Sequence, residues 1–336
     1  MTDTRTTWGT VSTVLEPPQI LLAFAAYHLH AGASEVHLYL DAPCPDAERW
    51  LAQKPRVTVT ICDAAYWQSE HGRTRPTDSR ERQVLNARHA YARTNCDWLA
   101  HIDADEFLIR VPQIVRFLAD CSPQIKVVSL HNAERVLRRG QIPRTVFDGL
   151  FRKPFPTKNS AAERKIYGEG ADFLLRGFSG YAIGKSLYRV GAGLKLDLHE
   201  PAPTDYWRGP TPERVWFPRM GLLHVDGYTR AHWEDKLRKK TRLLRQDTPS
   251  GHNPARTRQI AHFLEEPDGD VDTDRLYDMT RCLSYRQLAQ MLLHRKLLPE
   301  TLSLRAALKA EFPEATVDLS PEAIDAALAD IRHRSQ

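Results

Sequence analysis

Three carboxylates crowded into one short segment are the strongest chemical signal in the chain. Asp103, Asp105 and Glu106 follow directly after 98–102, whose apolar residues predict a β-strand. Carboxylates this close repel one another, so a cation beside them is favoured. Asp103 and Asp105 are alternate residues and share one side of an extended segment. Oxygen ligands suit Mg²⁺ or Mn²⁺, and we predict a divalent metal site here, with a solvated acidic turn as the alternative.

The elements that must position these carboxylates alternate between strand-like and helix-like patterns. Strands are predicted over 8–15, 36–40 and 57–61, and helices over 17–32, 45–53 and 78–95. This alternation predicts an α/β fold with a mostly parallel sheet flanked by helices. In such sheets the carboxyl ends of the strands border the ligand crevice, and the acidic segment follows one of these ends.

The middle of the chain is less regular. A helix over 111–119 and a strand over 126–130 continue the pattern, whereas 135–177 is basic, contains several Pro and Gly residues and is predicted to form loops. Alternating Leu residues predict a half-buried strand over 194–200, and 221–225 is predicted as the last strand.

Helical signals dominate the C-terminal third. Ser284 and Gln287 have the spacing of a capping box, and 320–322 (Ser-Pro-Glu) is typical of a helix start. We therefore predict one domain over 1–228 and a helical C-terminal extension over 229–336.

Residues 97–108, which read DWLAHIDADEFL, resemble the signature DWL-x-x-(I/F)-D-x-D-E-F-L of family 2-like glycosyltransferases with the GT-A fold. The loop with Glu16 after the first strand, the strand that ends at Asp41 and the helix with Gln83 are similar to further parts of that family. The resemblance covers roughly 8–240 and implies a GT-A-like (Rossmann-like) sheet.

The resemblance also implies an activity: metal-dependent, inverting transfer of a sugar from a nucleotide-diphosphate sugar to an acceptor hydroxyl. A UDP-sugar is the favoured donor, and the acceptor is a carbohydrate or a lipid-linked molecule. The nucleotide-sugar contacts implied are Glu16, Asp41, Gln83, Asp103 and Lys185. The implied ligands of Mn²⁺ or Mg²⁺ are Asp103, Asp105, His199 and His224.

An inverting transfer needs a general base that takes the proton of the acceptor hydroxyl. The family usually supplies an acid from the second half of the chain. We nominate Glu200 and Asp197 as catalytic residues, and Asp172 remains open as a third candidate.

Two other classes of function stay open. A nucleotidyltransferase uses a similar sheet and acidic metal site, although the Gly- and Arg-rich phosphate loop common in such enzymes is missing after the first strand. A non-catalytic nucleotide- or glycan-binding module is the second alternative, because Leu15 stands where the family has Asn.

Composition limits these choices further. The chain has 336 residues, of which 26% are charged, and a formal net charge of +5. This mild excess does not indicate a nucleic-acid partner. The five cysteines include no Cys-x-x-Cys pair, and no apolar segment is long enough to span a bilayer. We expect a cytoplasmic protein, with peripheral contact to the inner face of the membrane left open.

Overall fold

A computed structural model describes residues 6–158, 160–198, 212–244, 254–264 and 273–334. Its strands are β1 (Trp8–Val14), β2 (Glu35–Leu40), β3 (Val57–Ile61), β4 (Trp98–His101), β5 (Glu106–Leu108), β6 (Val127–Arg138), β7 (Leu150–Arg152), β8 (Lys185–Arg189), β9 (Arg214–His224), β10 (Cys282–Leu283) and β11 (Leu297–Leu298). Its α-helices are α1 (Pro18–His30), α2 (Pro45–Leu51), α3 (Ala64–His71), α4 (Ser79–Tyr91), α5 (Val111–Ala119), α6 (Ala161–Tyr167), α7 (Arg230–Leu244), α8 (Pro254–Leu264), α9 (Thr273–Arg281), α10 (Tyr285–Leu293), α11 (Arg305–Glu311) and α12 (Pro321–Arg334). A 3₁₀ helix spans Gly168–Phe173.

The strands of these ranges form one sheet in the order β11-β7-β6-β8-β4-β1-β2-β3, to which β5, β9 and β10 are attached. The strands β3, β2, β1 and β4 run parallel. The strand β8 is antiparallel to both β4 and β6, and β9 is parallel to β6. The carboxyl ends of β1, β4, β6 and β9 therefore point to the same edge of the sheet.

Helices cover both faces of this sheet. The helices α1, α2 and α5 bury apolar side chains in the larger core, whereas α3 and α4 pack on the opposite face. Side chains of β2 alternate between these two cores, as a strand buried on both sides requires. The α/β class predicted from the sequence is confirmed, with a parallel N-terminal part and mixed pairing beyond β4.

A buried histidine ties α1 to the strand after the acidic segment. His28 Nδ1 donates to the carbonyl of Phe24 (3.0 Å), and its Nε2 accepts from the Leu108 N–H (3.4 Å). The imidazole also stacks on Phe107, with a centroid distance of 5.8 Å and an interplanar angle of 8°. Burial lowers the pKa of His28 to about 3, so the ring is neutral at ordinary pH.

Two sequence predictions are wrong in the middle of the chain. The segment 135–177 is not only loops, because β6 runs on to Arg138 and is followed by β7 and α6. Two of its basic residues, Arg135 and Arg152, are buried in paired strands. Residues 194–198 form no strand. Instead, Leu194 and Leu196 pack into the core beside α4, and the rest of that predicted strand lies outside the described residues.

The C-terminal part is mainly helical and also contributes to the sheet. The Ser284–Gln287 capping box is present. The short strands β10 and β11 pair with β6 and β7, so 221–225 is not the last strand. The boundary after 228 stays a prediction. None of the helices in the described ranges has the length and apolar character to cross a bilayer.

Candidate functional site

The backbone of the acidic turn after β4 is held by strands on two sides. Ser12 Oγ in β1 donates a hydrogen bond to the carbonyl of Ile102 (2.6 Å). The Val225 N–H, just beyond β9, donates to the carbonyl of Asp105 (2.8 Å). The neighbours β1 and β9 therefore decide where the carboxylates of this turn lie.

Asp105, His224 and Asp226 form a buried cluster at the carboxyl edge of the sheet. Their ligand atoms all lie within 4.8 Å of one another, and His224 Nε2 is 3.7 Å from Asp105 Oδ1. The pairing of β5 with β9 sets Glu106 opposite His224, which explains how residues more than a hundred positions apart meet. His224 is 4% exposed, and its Nδ1 has no hydrogen-bond partner among the residues that the structure describes.

An ammonium group lies between the two carboxylates of this cluster. Lys236 Nζ, from α7, is 3.2 Å from Asp105 Oδ2 and 3.1 Å from Asp226 Oδ1. Burial opposes the charge of Lys236, but these carboxylates raise its pKa. Asp226 also contacts Arg256 at 2.8 Å and Arg281 at 3.6 Å. Burial opposes its charge as well, yet the surrounding cations hold the pKa of Asp226 well below its usual range.

Another buried carboxylate, that of Glu134, adjoins the cluster. Glu134 in β6 lies opposite His224 in the pairing with β9 and forms an ion pair with Arg152. Its oxygens accept hydrogen bonds from the Ser179 N–H (2.9 Å) and the Gly180 N–H (2.6 Å). A Cβ on Gly180 would lie 2.9 Å from Glu134 Oε2 and 3.3 Å from His224 Cε1. Only glycine fits here without displacing these two side chains.

Lys185 lies on the other side of the acidic turn. Its Nζ is 2.8 Å from Asp103 Oδ2 and 3.6 Å from Glu106 Oε2. Burial raises the pKa of Glu106 well above its usual range, despite the lysine. Gly184 has a φ of +72°, and a Cβ there would lie 1.9 Å from a carbonyl oxygen of β6. Gln83 Nε2 is 3.5 Å from Asp103 Oδ1, so α4 borders the same turn.

The loop after β1 brings another carboxylate close to the turn. Burial, with a further contribution from the charge of Asp105, raises the pKa of Glu16 to about 7. One Glu16 oxygen accepts from the Leu15 N–H at 2.7 Å. Within the described part of the chain the buried Tyr228 hydroxyl has no hydrogen-bond partner, and burial, then the charge of Glu16, raises its pKa.

Asp41 ends β2 and is held by two guanidinium groups. Arg82 donates from Nε to Oδ1 (2.8 Å) and from Nη2 to Oδ2 (2.6 Å), which is a bidentate pair. Arg75 Nη2 is 2.9 Å from Asp41 Oδ2. The predicted contact at the end of β2 therefore combines the Asp41 carboxylate with the guanidinium groups of Arg82 and Arg75.

The predicted catalytic acids differ in burial and in whether the structure describes them. Asp197 is partly buried, its carboxylate accepts from the next backbone N–H (2.8 Å), and its carbonyl is 3.3 Å from Nδ1 of His101 in β4. Asp172 lies in the 3₁₀ helix with a side chain that is 52% exposed. The predictions for His199 and Glu200 fall outside the described residues.

Sequence reasoning missed Asp226 and Glu134. Asp226 follows the end of β9, so the strand-end rule that selected Asp103 would have selected it as well. Glu134 gave no such signal, because it lies inside a strand and its partner Arg152 is distant along the chain.

The donor set at Asp105, His224 and Asp226 fits a divalent cation. Two carboxylates and an imidazole suit Mn²⁺ or Mg²⁺ chemistry, and His224 Nε2 is the ring nitrogen that lies 3.7 Å from Asp105 Oδ1. The Lys236 ammonium contacts Asp105 Oδ2 and Asp226 Oδ1, so a metal ion that binds these same two oxygens has to displace it. Asp103 is not in this group, and its role as a ligand stays a prediction.

Comparison with protein-family models and with curated proteins gives no match. Solved structures that the chain is similar to include a mannosyltransferase from Pyrobaculum calidifontis in complex with GDP-Man and Mn²⁺, at 12% identity and a TM-score of 0.37, covering 99% of this chain and 84% of that chain. TarS from S. aureus matches at 10% identity and a TM-score of 0.31, covering 96% and 83%. HddC from Yersinia pseudotuberculosis matches at 8% identity and a TM-score of 0.36, covering 70% and 99%. At such low identities and TM-scores, these likenesses decide neither the fold nor the activity of this chain.

Proposed function

We propose that this protein is a glycosyltransferase that uses a nucleotide-diphosphate sugar and a divalent cation. The observation that carries the proposal is the buried group of Asp105, His224 and Asp226 at the carboxyl edge of the sheet, with the Lys236 ammonium between its two carboxylates and the Lys185 ammonium against the neighbouring Asp103. Carboxylates with an imidazole suit a metal ion, and lysines beside them suit the phosphates that such an ion binds.

Asp105, His224 and Asp226 would hold the cation, Mn²⁺ or Mg²⁺. When bound, it neutralises the diphosphate as this group leaves the sugar. Lys236, which contacts Asp105 and Asp226, and Lys185, which contacts the neighbouring Asp103, would stabilise the same developing negative charge.

Glu16 and Asp41 follow the ends of β1 and β2, Gln83 contacts Asp103, and these three are our candidates for contacts to the nucleoside. Asp41 is fixed by Arg82, so its oxygens are oriented before any ligand binds. We favour a UDP-sugar as the donor. The acceptor would be a carbohydrate or a lipid-linked molecule, and the protein would act in the cytoplasm.

A general base completes an inverting transfer. Asp197 and Glu200 remain our candidates, and the one chosen must accept the proton of the acceptor hydroxyl as the new bond to the sugar forms. Asp197 follows a stretch that packs beside α4, and its carbonyl contacts His101, at the end of β4. It is therefore close in the fold to the strand that leads to the acidic turn.

A nucleotidyltransferase is the alternative enzyme. Such an enzyme needs anion-binding groups where the triphosphate lies, but the loop after β1 contributes the carboxylate of Glu16. The loop, 15–17, carries no Lys or Arg, so it supplies no side-chain cation for a triphosphate. The loop therefore favours the transferase.

Thermal-shift measurements test the proposal directly. UDP and GDP, each with and without Mn²⁺, should raise the melting temperature of the wild type, and the metal-dependent part of the shift should vanish in Asp105→Ala. Asp120→Ala is the matched control, because Asp120 is exposed at the end of α5. If no nucleotide shifts the melting temperature, the proposal fails, and the chain is a non-catalytic module or has an acidic turn with a structural role only.

Product analysis then separates the two enzymes. Release of nucleoside diphosphate from a nucleotide sugar with an acceptor supports transfer. Release of pyrophosphate from a nucleoside triphosphate contradicts it and supports the nucleotidyltransferase.

A further inference from the structure

Helix α10 and the loop after β6 carry the four most exposed large apolar side chains among the described residues. Ile142 is 90% exposed, Leu293 80%, Tyr285 74% and Leu292 64%. Tyr285 and Leu292 are seven residues apart, which is two helical turns, so they lie on the same side of α10. Exposed apolar side chains grouped in this way are typical of an interaction surface.

This surface is presented by a helix that is firmly held. The inner face of α10 packs Leu288 and Met291 into a buried cluster with β6 and α6. Gln287 Nε2 donates to the carbonyl of Ile166 in α6 (3.1 Å), and the same residue completes the capping box. The exposure of Leu292 therefore reflects the orientation of the helix, not a loose end.

Arginines surround these apolar side chains. The Arg138 guanidinium donates to the Tyr285 hydroxyl (2.8 Å) and covers the ring at 5.3 Å. Arg286 and Arg295 are exposed on α10 and just after it. Arg139 follows Arg138 along the chain, and its Nε is 3.4 Å from Oδ2 of Asp278 in α9. The rim of the surface, formed by these side chains around the exposed apolar residues, is thus predominantly basic.

A cavity opens beside this rim, between α6 and α10. Its volume is about 330 Å³, and three basic side chains and no acidic one line it. The basic residues are Lys165, Arg139 and Arg286. A cavity of this charge, next to exposed apolar side chains, fits a phosphate that is attached to an apolar molecule.

We propose that this surface, defined by Ile142, Tyr285, Leu292, Leu293 and the basic cavity, rests on an anionic phospholipid bilayer. The leucines enter the interface between headgroups and acyl chains, and the cavity receives a lipid phosphate. Apolar insertion combined with arginine charge is the combination that interfacial helices use. The inference does not depend on the reaction proposed above.

The location of this surface suits a membrane-bound substrate. Arg138 lies four residues beyond Glu134 along β6, roughly 13 Å further at the rise of a strand. The bilayer would therefore lie towards the same edge of the sheet as the metal site.

Sedimentation with phospholipid vesicles tests the proposal. We expect the full chain to bind vesicles that contain about one third phosphatidylglycerol and to bind pure phosphatidylcholine far more weakly, in about 0.15 M salt. The double variant Leu292→Gln/Leu293→Gln should lower the partition coefficient by at least about tenfold. Arg286→Gln should lower it by about fivefold.

Matched control variants remove one exposed apolar side chain and one exposed arginine outside the proposed surface. Trp216→Gln removes another exposed apolar side chain, 39% exposed, near the start of β9, and Arg116→Gln removes an exposed arginine from the last turn of α5. Both should bind vesicles as the wild type does, and unchanged melting temperatures show that each variant folds.

Several results would overturn the proposal. Anionic vesicles that do not bind, or that bind the double variant and the wild type equally, exclude this surface as the contact. A thermal shift with inorganic phosphate in the absence of vesicle binding would assign the cavity to a soluble ligand. A change in oligomeric state in the double variant, again without vesicle binding, would assign the surface to a second copy of the chain.

Discussion

Replacing Lys236 by glutamine tests whether its ammonium and a metal ion compete for the same oxygens. Lys236 Nζ contacts Asp105 Oδ2 at 3.2 Å and Asp226 Oδ1 at 3.1 Å. A divalent cation that binds these carboxylates must displace the ammonium. We therefore expect Lys236→Gln to bind Mn²⁺ more tightly than the wild type does.

The size of the effect follows from the geometry of this contact. One pair of unit charges at this separation attracts by about 5 kcal/mol at an effective dielectric constant of about 20. Desolvation and side-chain entropy remove most of this attraction, and the Lys236 side chain is 31% exposed. A net effect of about 1–2 kcal/mol remains, which is roughly a 5- to 30-fold decrease in the dissociation constant of Mn²⁺.

Calorimetric titration with Mn²⁺ measures this change. Lys239→Gln is the control, because it makes the same charge change on the same helix at a side chain that is 61% exposed and pairs with Asp235. Equal affinities in the two variants would refute the competition. Weaker binding in Lys236→Gln would refute it as well and would show that the lysine supports the metal site.

Three further predictions concern stability and the site. Burial lowers the pKa of His28 to about 3, so the native state binds fewer protons than the unfolded state between that pH and about 6.5. The free energy of unfolding should be highest above that window and fall by about 2 kcal/mol from roughly pH 7 to pH 5. Urea unfolding of His28→Gln should lack this part of the decrease, and an identical slope in both proteins would contradict the assignment. Gly180→Ala should destabilise the protein by about 1–3 kcal/mol in thermal unfolding and weaken Mn²⁺ binding, because the new Cβ meets Glu134 and His224, whereas wild-type behaviour would mean that the loop moves aside. Arg152→Met should cost about 3–5 kcal/mol in urea unfolding, because it leaves the Glu134 carboxylate buried without this partner, and a loss below about 1 kcal/mol would show that its other hydrogen bonds suffice.

Local patterns predicted the first part of the fold well. The strand 57–61 and the helix 111–119 have the predicted bounds, and the parallel order of β1 to β4 follows from the alternation of strands and helices. Predictions failed where tertiary contacts reversed the local signal. Arg135 and Arg152 look like surface residues in the sequence, but both are buried, because Arg152 pairs with Glu134 of β6 and Arg135 donates to the carbonyls of Gly227 and Tyr228.

The sequence by itself determined the acidic turn and its place at a strand end, because both depend on residue type and short-range spacing. The family resemblance suggested His224 as a ligand, but neither it nor the local spacing selected Asp226 or fixed how these groups meet. The pairing of β5 with β9 brings His224 and Asp226 to Asp105, and the orientation of α7 brings Lys236 between the carboxylates. These contacts join residues far apart along the chain, so only the tertiary structure decided them.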